Sequence, residues 1–389
     1  MKLAYLANIR LPTEKAHGAQ IMNMCAAFAS QKRGMTQTNA RTYADETNDV
    51  TLVVPWRLNM LKDDPFVFYG VPRNFSIRKI FVADFLALPF LKQLGFVLES
   101  MSFIKALWWH LLFNTYDAYY TRDLAVAAGL WTRTPLFYEI HSLPERGNWL
   151  HRRAWRRAKG IVVISDGLRK ALIAFGVPEQ KILLARDAVD MKKFYITATR
   201  DECRAKLNLP ADKKIVVYTG HLYDWKGADV LAGATAELPP DTRVYIVGGT
   251  VADTEAFRRR FVSANLHVLG WRNSSEIPLW LKAADVLVLP TSGKTAIGAR
   301  YTSPMKLFEY MASATPIVAS DLPSIREVLQ ESQAIFVRPD DPLALAGGIA
   351  AVLHNEHGAR LVALAAQEHV REYSWENRAR NIINFIGNF

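Results

Sequence analysis

Short runs of apolar, largely β-branched residues recur along the chain, and each is followed by a loop and then by a helical pattern. Strands that alternate with helices in this way predict parallel sheets covered on both faces. The sequence therefore predicts an α/β protein. The predicted strands are residues 2–7, 50–54, 118–120, 136–139 and 161–165 in the first half, and 214–219, 243–247, 266–269, 286–289, 316–319 and 334–337 in the second.

The length of 389 residues exceeds what one ordinary hydrophobic core supports, so two domains are expected. A polar, mixed segment at 191–204 and Pro210 precede the strong strand around 215–218. We predict a first domain over 1–197, a second over 198–370 and a terminal segment over 371–389.

Positive charge is concentrated in the first half. Residues 1–197 hold 27 Lys and Arg against 16 Asp and Glu, a net charge of +11, whereas residues 198–389 hold 21 of each. A one-sided basic surface indicates an anionic partner, such as nucleic acid, an acidic membrane or a phosphorylated substrate. No nucleic-acid-binding motif accompanies these residues, so nucleic acid is not expected as a partner.

The N-terminal apolar run is too short for a secretory signal and is interpreted as a first strand. No stretch of 18 or more uncharged apolar residues occurs, which predicts no membrane-spanning helix. Cys25 and Cys203 are too few for a disulfide framework or a zinc site. Both are expected to be buried, as suits a reducing cytoplasm.

Residues 77–113 are rich in large apolar and aromatic side chains. The favoured interpretation is one or two amphipathic helices packed on the sheet. The alternative is an interfacial surface that dips into lipid, assisted by Arg78, Lys79 and a downstream basic cluster. That cluster consists of Arg152, Arg153, Arg156, Arg157 and Lys159.

Two loops that follow predicted strands carry glycine where a phosphate could approach the backbone. The first runs over 14–20 and contains Gly18, ahead of a helix predicted over 21–30. The second contains Gly220, Lys226 and Gly227, ahead of a helix predicted over 228–238. Glycine permits close approach, a helix N-terminus favours an anion, and Lys226 adds a point charge. No Walker motif is present, which disfavours a P-loop ATPase.

A third loop runs from Thr291 to Thr302 and leads into Ser303, Pro304 and a helix. Proline suits a helix start, where the missing N–H would have no partner. The amides that follow are candidates for a second phosphate contact. Glu309, one to two turns into the helix, could accept hydrogen bonds from ribose hydroxyls.

The stretch 303–312, Ser-Pro-Met-Lys-Leu-Phe-Glu-Tyr-Met-Ala, resembles the signature region of the family-four retaining glycosyltransferases. Residues 316–320, 325–328 and the Gly220 to Gly227 loop fit the same family in the same order. The resemblance implies the GT-B fold, in which two Rossmann-like domains face each other across a cleft and a C-terminal helix crosses back to the first domain. It implies a nucleotide-sugar donor held mainly by the second domain, an acceptor held by the first, and no required metal or other cofactor.

The resemblance also assigns roles to individual residues. It implies catalytic roles for His141, beside the transferred sugar, for Lys226, at the pyrophosphate, and for Glu309, at the ribose. The residues implied in donor binding are Gly18, Gly220, His221, Lys226, Trp271, Ser303, Lys306, Leu307 and Glu309. Of these, Gly18 would contact the phosphates through its backbone, as would the amides of Lys306 and Leu307, while the backbone near Trp271 would border the base.

Two positions depart from the family pattern. Tyr301 stands where the family often has the first of two glutamates, and His221 stands where an arginine usually accompanies the pyrophosphate lysine. The contacts to the donor sugar near Tyr301 are therefore left open. The Ser-Pro-x-Lys sequence at 303–306 is interpreted as a feature of one subfamily within this family.

The expected activity is transfer of a sugar to a glycan, lipid-linked or polysaccharide acceptor, with retention of anomeric configuration. Lys226, His221 and the helix amides near Leu307 would stabilise the departing diphosphate. The alternatives are a nucleotide-sugar epimerase of the same fold and a non-catalytic, degenerate transferase that acts as a binding protein. The expected location is the cytoplasm or the inner face of the cell membrane.

Overall fold

The computed structural model describes residues 1–31, 47–83, 92–144 and 146–389. The chain forms two compact units. The first contains Met1–Ile164, Leu168–Ala185 and Trp375–Phe389, and the second contains Ser165–Gly167 and Arg186–Ser374.

The described part of the first unit contains a seven-stranded parallel sheet in the order β3-β2-β1-β4-β5-β6-β7. Its inner strands are apolar on both faces and buried on both, as expected for a parallel sheet between helical layers. The strands are β1 Lys2–Leu6, β2 Asp49–Trp56, β3 Ser76–Phe81, β4 Ala118–Thr121, β5 Leu136–Ile140, β6 Gly160–Val163 and β7 Ile182–Leu184.

Helices connect these strands, and the last helix of the chain packs on the first. Side-chain caps define several helix starts: Asp64, Asp123 and Asn148 each accept hydrogen bonds from the first turn of the helix that follows. The helices are α1 Ala16–Ser30, α2 Pro65–Tyr69, α3 Lys92–Phe113, α4 Leu124–Gly129, α5 Trp149–Arg157, α6 Asp166–Ala174 and, at the end of the chain, α16 Trp375–Gly387.

In the second unit a six-stranded parallel sheet has the order β10-β9-β8-β11-β12-β13. Successive residues of β8 and β11 alternate between two hydrophobic cores, so each face of the sheet is covered. Its strands are β8 Lys214–Thr219, β9 Thr242–Val247, β10 Leu266–Gly270, β11 Val286–Leu289, β12 Ile317–Ser320 and β13 Ile335–Val337. Its helices are α7 Met191–Phe194, α8 Arg200–Lys206, α9 Ala228–Ala234, α10 Val251–Arg260, α11 Ile277–Ala283, α12 Met305–Ala312, α13 Pro323–Arg326, α14 Pro342–His354 and α15 Glu356–His369.

The boundary between the units differs from the predicted one at 197. The second unit begins at Arg186 because Val189 and Phe194 are buried in its core, and Val189 also bridges to Ser374. The terminal segment that joins the first unit begins at Trp375, where 371 was predicted.

The structure corrects the prediction of helices throughout 77–113. Its first part is the edge strand β3, which pairs with β2, and its last part is α3. Residues 84–91, which include Phe85, Pro89 and Phe90, lie outside the described residues. Strands β3 and β7 were both missed from the sequence.

Within α3, the segment Leu94–Phe113 is long and apolar enough to cross a membrane by length and composition alone. Those two criteria are weak evidence, because core helices of soluble proteins also meet them. Phe103 and Leu107 are fully buried, and the buried Glu99 forms an ion pair with Arg57 of the same unit. The helix is therefore built to pack on protein along one side.

Candidate functional site

The strand order of each sheet reverses direction at one point: between β8 and β11 in the second unit, and between β1 and β4 in the first. Ligands of open α/β sheets bind outside the carboxyl ends of the strands at such switch points. The loops that follow these strands carry most of the predicted site residues.

In the second unit, Gly220 directly follows β8 and has a φ of +132°, and Gly227 closes the loop with a φ of +71°. Residues with a side chain rarely adopt either of these backbone conformations, so glycine is required at both positions. A Cβ at Gly227 would also lie 1.8 Å from the carbonyl oxygen of Pro290, the residue after β11. The two loops at the switch point therefore touch through a position that only glycine can fill.

Lys226 lies in the 3-10 turn Asp224–Lys226 between these glycines. Its ammonium sits 5.3 Å from the ring centre of Trp225 and 5.6 Å from that of Tyr223. Burial lowers the pKa of this lysine to about 8, although the charge of Glu309 acts in the opposite direction. Nζ is therefore a cation that lacks sufficient solvation or counter-charge in the free protein.

Lys306, on the first turn of α12, brings a second ammonium to the same place. Its Nζ lies 3.9 Å from the ring centre of Tyr218 and has no hydrogen-bond partner among the described residues. Burial, and then repulsion from Lys226, lower its pKa well below the ordinary value. A Cβ placed on Gly220 would be 3.8 Å from each of the two Nζ atoms and 3.5 Å from the hydroxyl oxygen of Tyr218, so both ammonium groups come close to the same point beside that glycine.

Glu309 is the carboxylate of this cluster. Burial raises the pKa of its carboxyl group, while Lys193, Lys306 and Lys226 act to lower it. Burial likewise lowers the pKa of Lys193, against the attraction of Glu309. Three lysines thus surround one carboxylate, and the cluster is deficient in negative charge.

The other predicted donor residues of this unit take varied positions. The His221 ring stacks on Tyr223 with 5.3 Å between centroids, and Trp271, just after β10, is 38% exposed. The buried Ser303 Oγ accepts the backbone N–H of Asp187 at 3.1 Å. The N–H of Leu307 donates to the carbonyl of Pro304 at 2.8 Å and its side chain is fully buried, and the contact of this amide with phosphate stays a prediction.

In the first unit, His141 follows β5 and its Nε2 lies 2.5 Å from Oε1 of Glu139. The Glu139 side chain is fully buried at the carboxyl end of that strand. Gln20 on α1 and Arg378 on α16 donate to the same oxygen, at 2.7 Å and 3.0 Å. His141 is thus one end of a network anchored in the core of the unit.

Gly18 lies inside the first turn of α1, which begins at Ala16 and not after Gln20 as predicted. A Cβ at Gly18 would lie 2.2 Å from the hydroxyl oxygen of Tyr69 and 2.6 Å from Cγ2 of Thr13. That hydroxyl donates to the carbonyl of Thr13 and accepts its N–H, both at 2.7 Å. Packing within the first unit therefore demands glycine here, and the proposed phosphate contact stays a prediction.

Sequence reasoning missed the Lys306 ammonium, Lys193, Glu139 and Arg378. A lysine among the apolar residues of α12 and a glutamate inside the apolar strand Leu136–Ile140 were visible signals, because charged residues are rarely buried without a partner. The partners themselves come from distant parts of the chain and could not be assigned.

Two family models match this chain. Residues 36–193 match the model described as glycosyltransferase family 4, and residues 213–355 match the one described as glycosyl transferases group 1. Together they cover well over half of the chain, one in each half. The chain belongs to the family-four glycosyltransferases.

Two named relatives match the sequence of this chain over part of their length. The phosphatidyl-myo-inositol mannosyltransferase of Mycobacterium tuberculosis is 31% identical over 235 residues, which is 58% of this chain and 58% of that protein. The D-inositol 3-phosphate glycosyltransferase of Xylanimonas cellulosilytica is 26% identical over 225 residues, or 54% of this chain and 52% of that one. The matched region spans little more than half the length of each relative.

Solved structures show the fold of this family-four member. The complex of Anabaena HepE with UDP-glucose has a TM-score of 0.76 at 16% identity and covers 100% of both chains. Sucrose-phosphate synthase from Thermosynechococcus elongatus has a TM-score of 0.76 at 18% identity, over 100% of this chain and 99% of that one. These similarities confirm the predicted GT-B fold with two Rossmann-like domains.

Proposed function

We propose that this protein is a retaining glycosyltransferase that moves a sugar from a nucleoside diphosphate sugar to a glycan, lipid-linked or polysaccharide acceptor. One observation carries the proposal: the ammonium groups of Lys226 and Lys306 converge above Gly220 with too little negative charge around them. A diphosphate would supply the negative charge that this cluster lacks.

The same charges would promote the reaction. As the bond between the sugar and the diphosphate breaks, negative charge grows on the leaving phosphate. Lys226 and Lys306, fixed in a poorly solvated site, would stabilise that charge more than they stabilise the bound donor. We propose that Glu309 binds the ribose and that His141 of the first unit acts on the transferred sugar.

The proposal requires no metal ion, because the lysines supply the positive charge that a divalent cation would otherwise bring to the diphosphate. Among the residues described, no three His, Cys, Asp or Glu side chains group as metal ligands. The epimerase alternative gains no support from the relatives, which are named as glycosyltransferases. Sugar transfer, as opposed to donor binding alone, separates an active enzyme from a degenerate binding protein.

Calorimetry with UDP-, GDP- and ADP-sugars tests the proposal, and UDP-glucose is the first choice because the HepE complex contains it. Affinity should depend on pH in a defined direction. With a free pKa of about 8, Lys226 is charged below that pH, and a bound diphosphate raises its pKa. Association should therefore fall above about pH 8, by up to about tenfold per pH unit, with proton uptake on binding.

Proton uptake can be measured in buffers of different ionisation enthalpy. The matched control is Lys226→Arg, which keeps its charge at every pH used and should bind the donor with less uptake at pH values above about 8. Donor affinity that stays constant between about pH 7 and 9, or no association with any nucleotide sugar, would contradict the assignment.

We further propose that the first unit binds the surface of an anionic membrane, which fits a peripheral enzyme on the inner face of the cell membrane with a lipid-linked acceptor. The face of α3 opposite Phe103 and Leu107 is apolar yet exposed, and Lys105 is the one charged residue among its exposed side chains from Leu94 onward. Exposed apolar surface of this extent indicates an interaction site. The apolar residues of this α3 face are Leu94, Val97, Met101, Trp108, Trp109, Leu112 and Phe113.

Its neighbours favour a lipid surface over a protein partner. Exposed Trp56 and Phe81, at the ends of β2 and β3, stack on each other at 6.1 Å between centroids, and the exposed Arg78 and Lys79 lie on β3, against which α3 packs. Adjacent aromatic and basic side chains are typical of helices that lie in the interface of an anionic bilayer.

The basic cluster on α5 is only partly available for this role. Arg153 donates to the carbonyl of Ala128 at 2.8 Å, and Arg157 donates to that of Leu130 and lies over the Trp131 ring. These two arginines hold α5 against α4, whereas Arg152 and Arg156 are exposed.

Co-sedimentation with phosphatidylglycerol vesicles should show binding that weakens with salt, with little binding to phosphatidylcholine alone. Replacing Trp108 and Trp109 by Ala should weaken binding roughly 10- to 100-fold, because two interfacial aromatic anchors are lost. The matched control replaces the exposed Leu361 and Leu364 of α15 by Ala and should bind like the wild type. Equal binding by all three proteins, or a Trp-dependent dimer without vesicle binding, would contradict the proposal.

A further inference from the structure

The Glu139 carboxylate is a fully buried charge at the centre of the first unit. Its Oε1 accepts hydrogen bonds from Gln20 Nε2 at 2.7 Å and Arg378 at 3.0 Å and lies 2.5 Å from His141 Nε2, while its Oε2 accepts from the hydroxyl of Tyr120. Arg122 extends the network by donating to Oε1 of Gln20 at 2.8 Å. The network joins β4, β5, α1 and the last helix of the chain.

The carboxylate stays ionised in this setting. Burial acts to raise the pKa of Glu139, but Arg378, His141 and Arg122 together hold it well below its ordinary value. The Arg378 side chain is itself almost fully buried on α16, 239 positions later in the sequence.

A buried ion pair of this kind is weak evidence for a gain in stability, since apolar residues of similar volume often stabilise a folded protein as well or better. Another benefit is therefore needed to explain it. Of the partners of this carboxylate, His141 is the one with a predicted role beside the transferred sugar. Glu139 and His141 stand two positions apart at the end of β5, so their side chains leave the strand on the same side.

We propose that Glu139 and Arg378 are positioning residues for His141: the carboxylate fixes the ring through Nε2–H, and the arginine of the last helix keeps that carboxylate in place. This inference rests on the proposed function in that it gives His141 a part in sugar transfer. A histidine whose Nε2 carries the hydrogen presents Nδ1 as its acceptor, because one ring nitrogen's hydrogen bond sets the state of the other. The ring is then held in one tautomer and one orientation for its proposed part in sugar transfer.

The ion pair also gives α16 a role in the chemistry. Without Arg378 the buried carboxylate would be uncompensated, and either protonation or movement of Glu139 would release the His141 ring. The last helix is then a part of the sugar-transfer machinery and more than a cover for α1.

The test compares Glu139→Gln, Arg378→Met and the double variant, each in the full chain. Glu139→Gln should lower kcat about 100-fold with donor affinity unchanged, because the nucleotide is held by the second unit. Arg378→Met should unfold at a lower temperature than wild type, and the double variant should regain that stability without regaining kcat. Nitrogen NMR of the His141 ring should show the Nε2–H tautomer in the wild type and a mixture in the variants.

The matched control is the buried pair Arg204 and Asp285 of the second unit, joined at 2.7 Å. Its double variant, Arg204→Met with Asp285→Asn, makes the same kind of change away from His141 and should leave kcat and the His141 tautomer as in the wild type. A double variant of Glu139 and Arg378 with wild-type kcat, or an unchanged tautomer in Glu139→Gln, would overturn the inference. Failure of the proposed function would instead appear as an absence of donor binding in the wild-type protein.

Discussion

Replacing Lys226 by Met is expected to weaken nucleotide-sugar binding and sugar transfer by roughly 10²- to 10³-fold in kcat/KM. This corresponds to losing one poorly solvated cation that faces the diphosphate and its growing charge. Isothermal calorimetry gives the donor affinity, and release of the nucleoside diphosphate gives the rate. Because charge develops on the leaving group, kcat should fall more steeply than donor affinity.

The same substitution should not weaken the free protein. Lys226 and Lys306 repel each other, and removing one ammonium relieves the other, so thermal unfolding without donor should occur at the wild-type temperature or above. Lys206→Met, at an exposed lysine of α8, serves as the control for loss of charge alone. A Lys226→Met protein that loses stability along with activity would instead assign this lysine a structural role.

Much of the fold could be predicted from the sequence. Parallel strands buried on both faces form continuous apolar runs, and β8 and β11 have the predicted bounds 214–219 and 286–289. The strands that were missed lie at the sheet edges. The exposed residues of β3 include Arg78 and Lys79, and β7 is only three residues long, so neither has the pattern of a buried strand.

The unit boundary was misplaced for a related reason. The segment 191–204 is polar in sequence, yet Phe194 within it and Val189 just before it pack into the second core. A few apolar residues in a polar segment do not form a hydrophobic pattern from which their domain can be predicted. Long-range contacts determine which domain they join. Here that contact includes the bridge between Val189 and Ser374, which no local pattern could supply.

In the candidate site, too, residues in local sequence motifs could be predicted, whereas residues brought together by tertiary contacts could not. Gly220, Lys226 and Glu309 could be selected because strand-to-helix loops and helix starts are recognisable along the chain. The side chain of Lys306 was not assigned a role, since its meeting with Lys226 depends on β8 and β11 being neighbours across the switch point. Glu139 and Arg378 depend on α16 packing beside α1 and β6.

Replacing Gly227 by Ala is expected to destabilise the second unit by at least about 3 kcal/mol and to abolish measurable donor binding. The left-handed backbone, with φ of +71°, would cost about 1 kcal/mol for any L side chain. The larger cost is steric, because the new methyl group would lie 1.8 Å from the carbonyl oxygen of Pro290. No rotamer change relieves a clash with backbone, so one of the two loops must move.

Movement of either loop should displace the donor site. The N–H of Ser292 donates to the carbonyl of Trp225 at 3.0 Å, so the segment after β11 is bonded to the turn that holds Lys226. Gly347→Ala is the matched control: a Cβ there meets nothing within 4 Å in the exposed face of α14, and it should raise stability by roughly 0.5–1 kcal/mol. Denaturant unfolding compares the two variants. If Gly227→Ala matched Gly347→Ala in stability and donor affinity, the close contact between the loops could not be what positions Lys226.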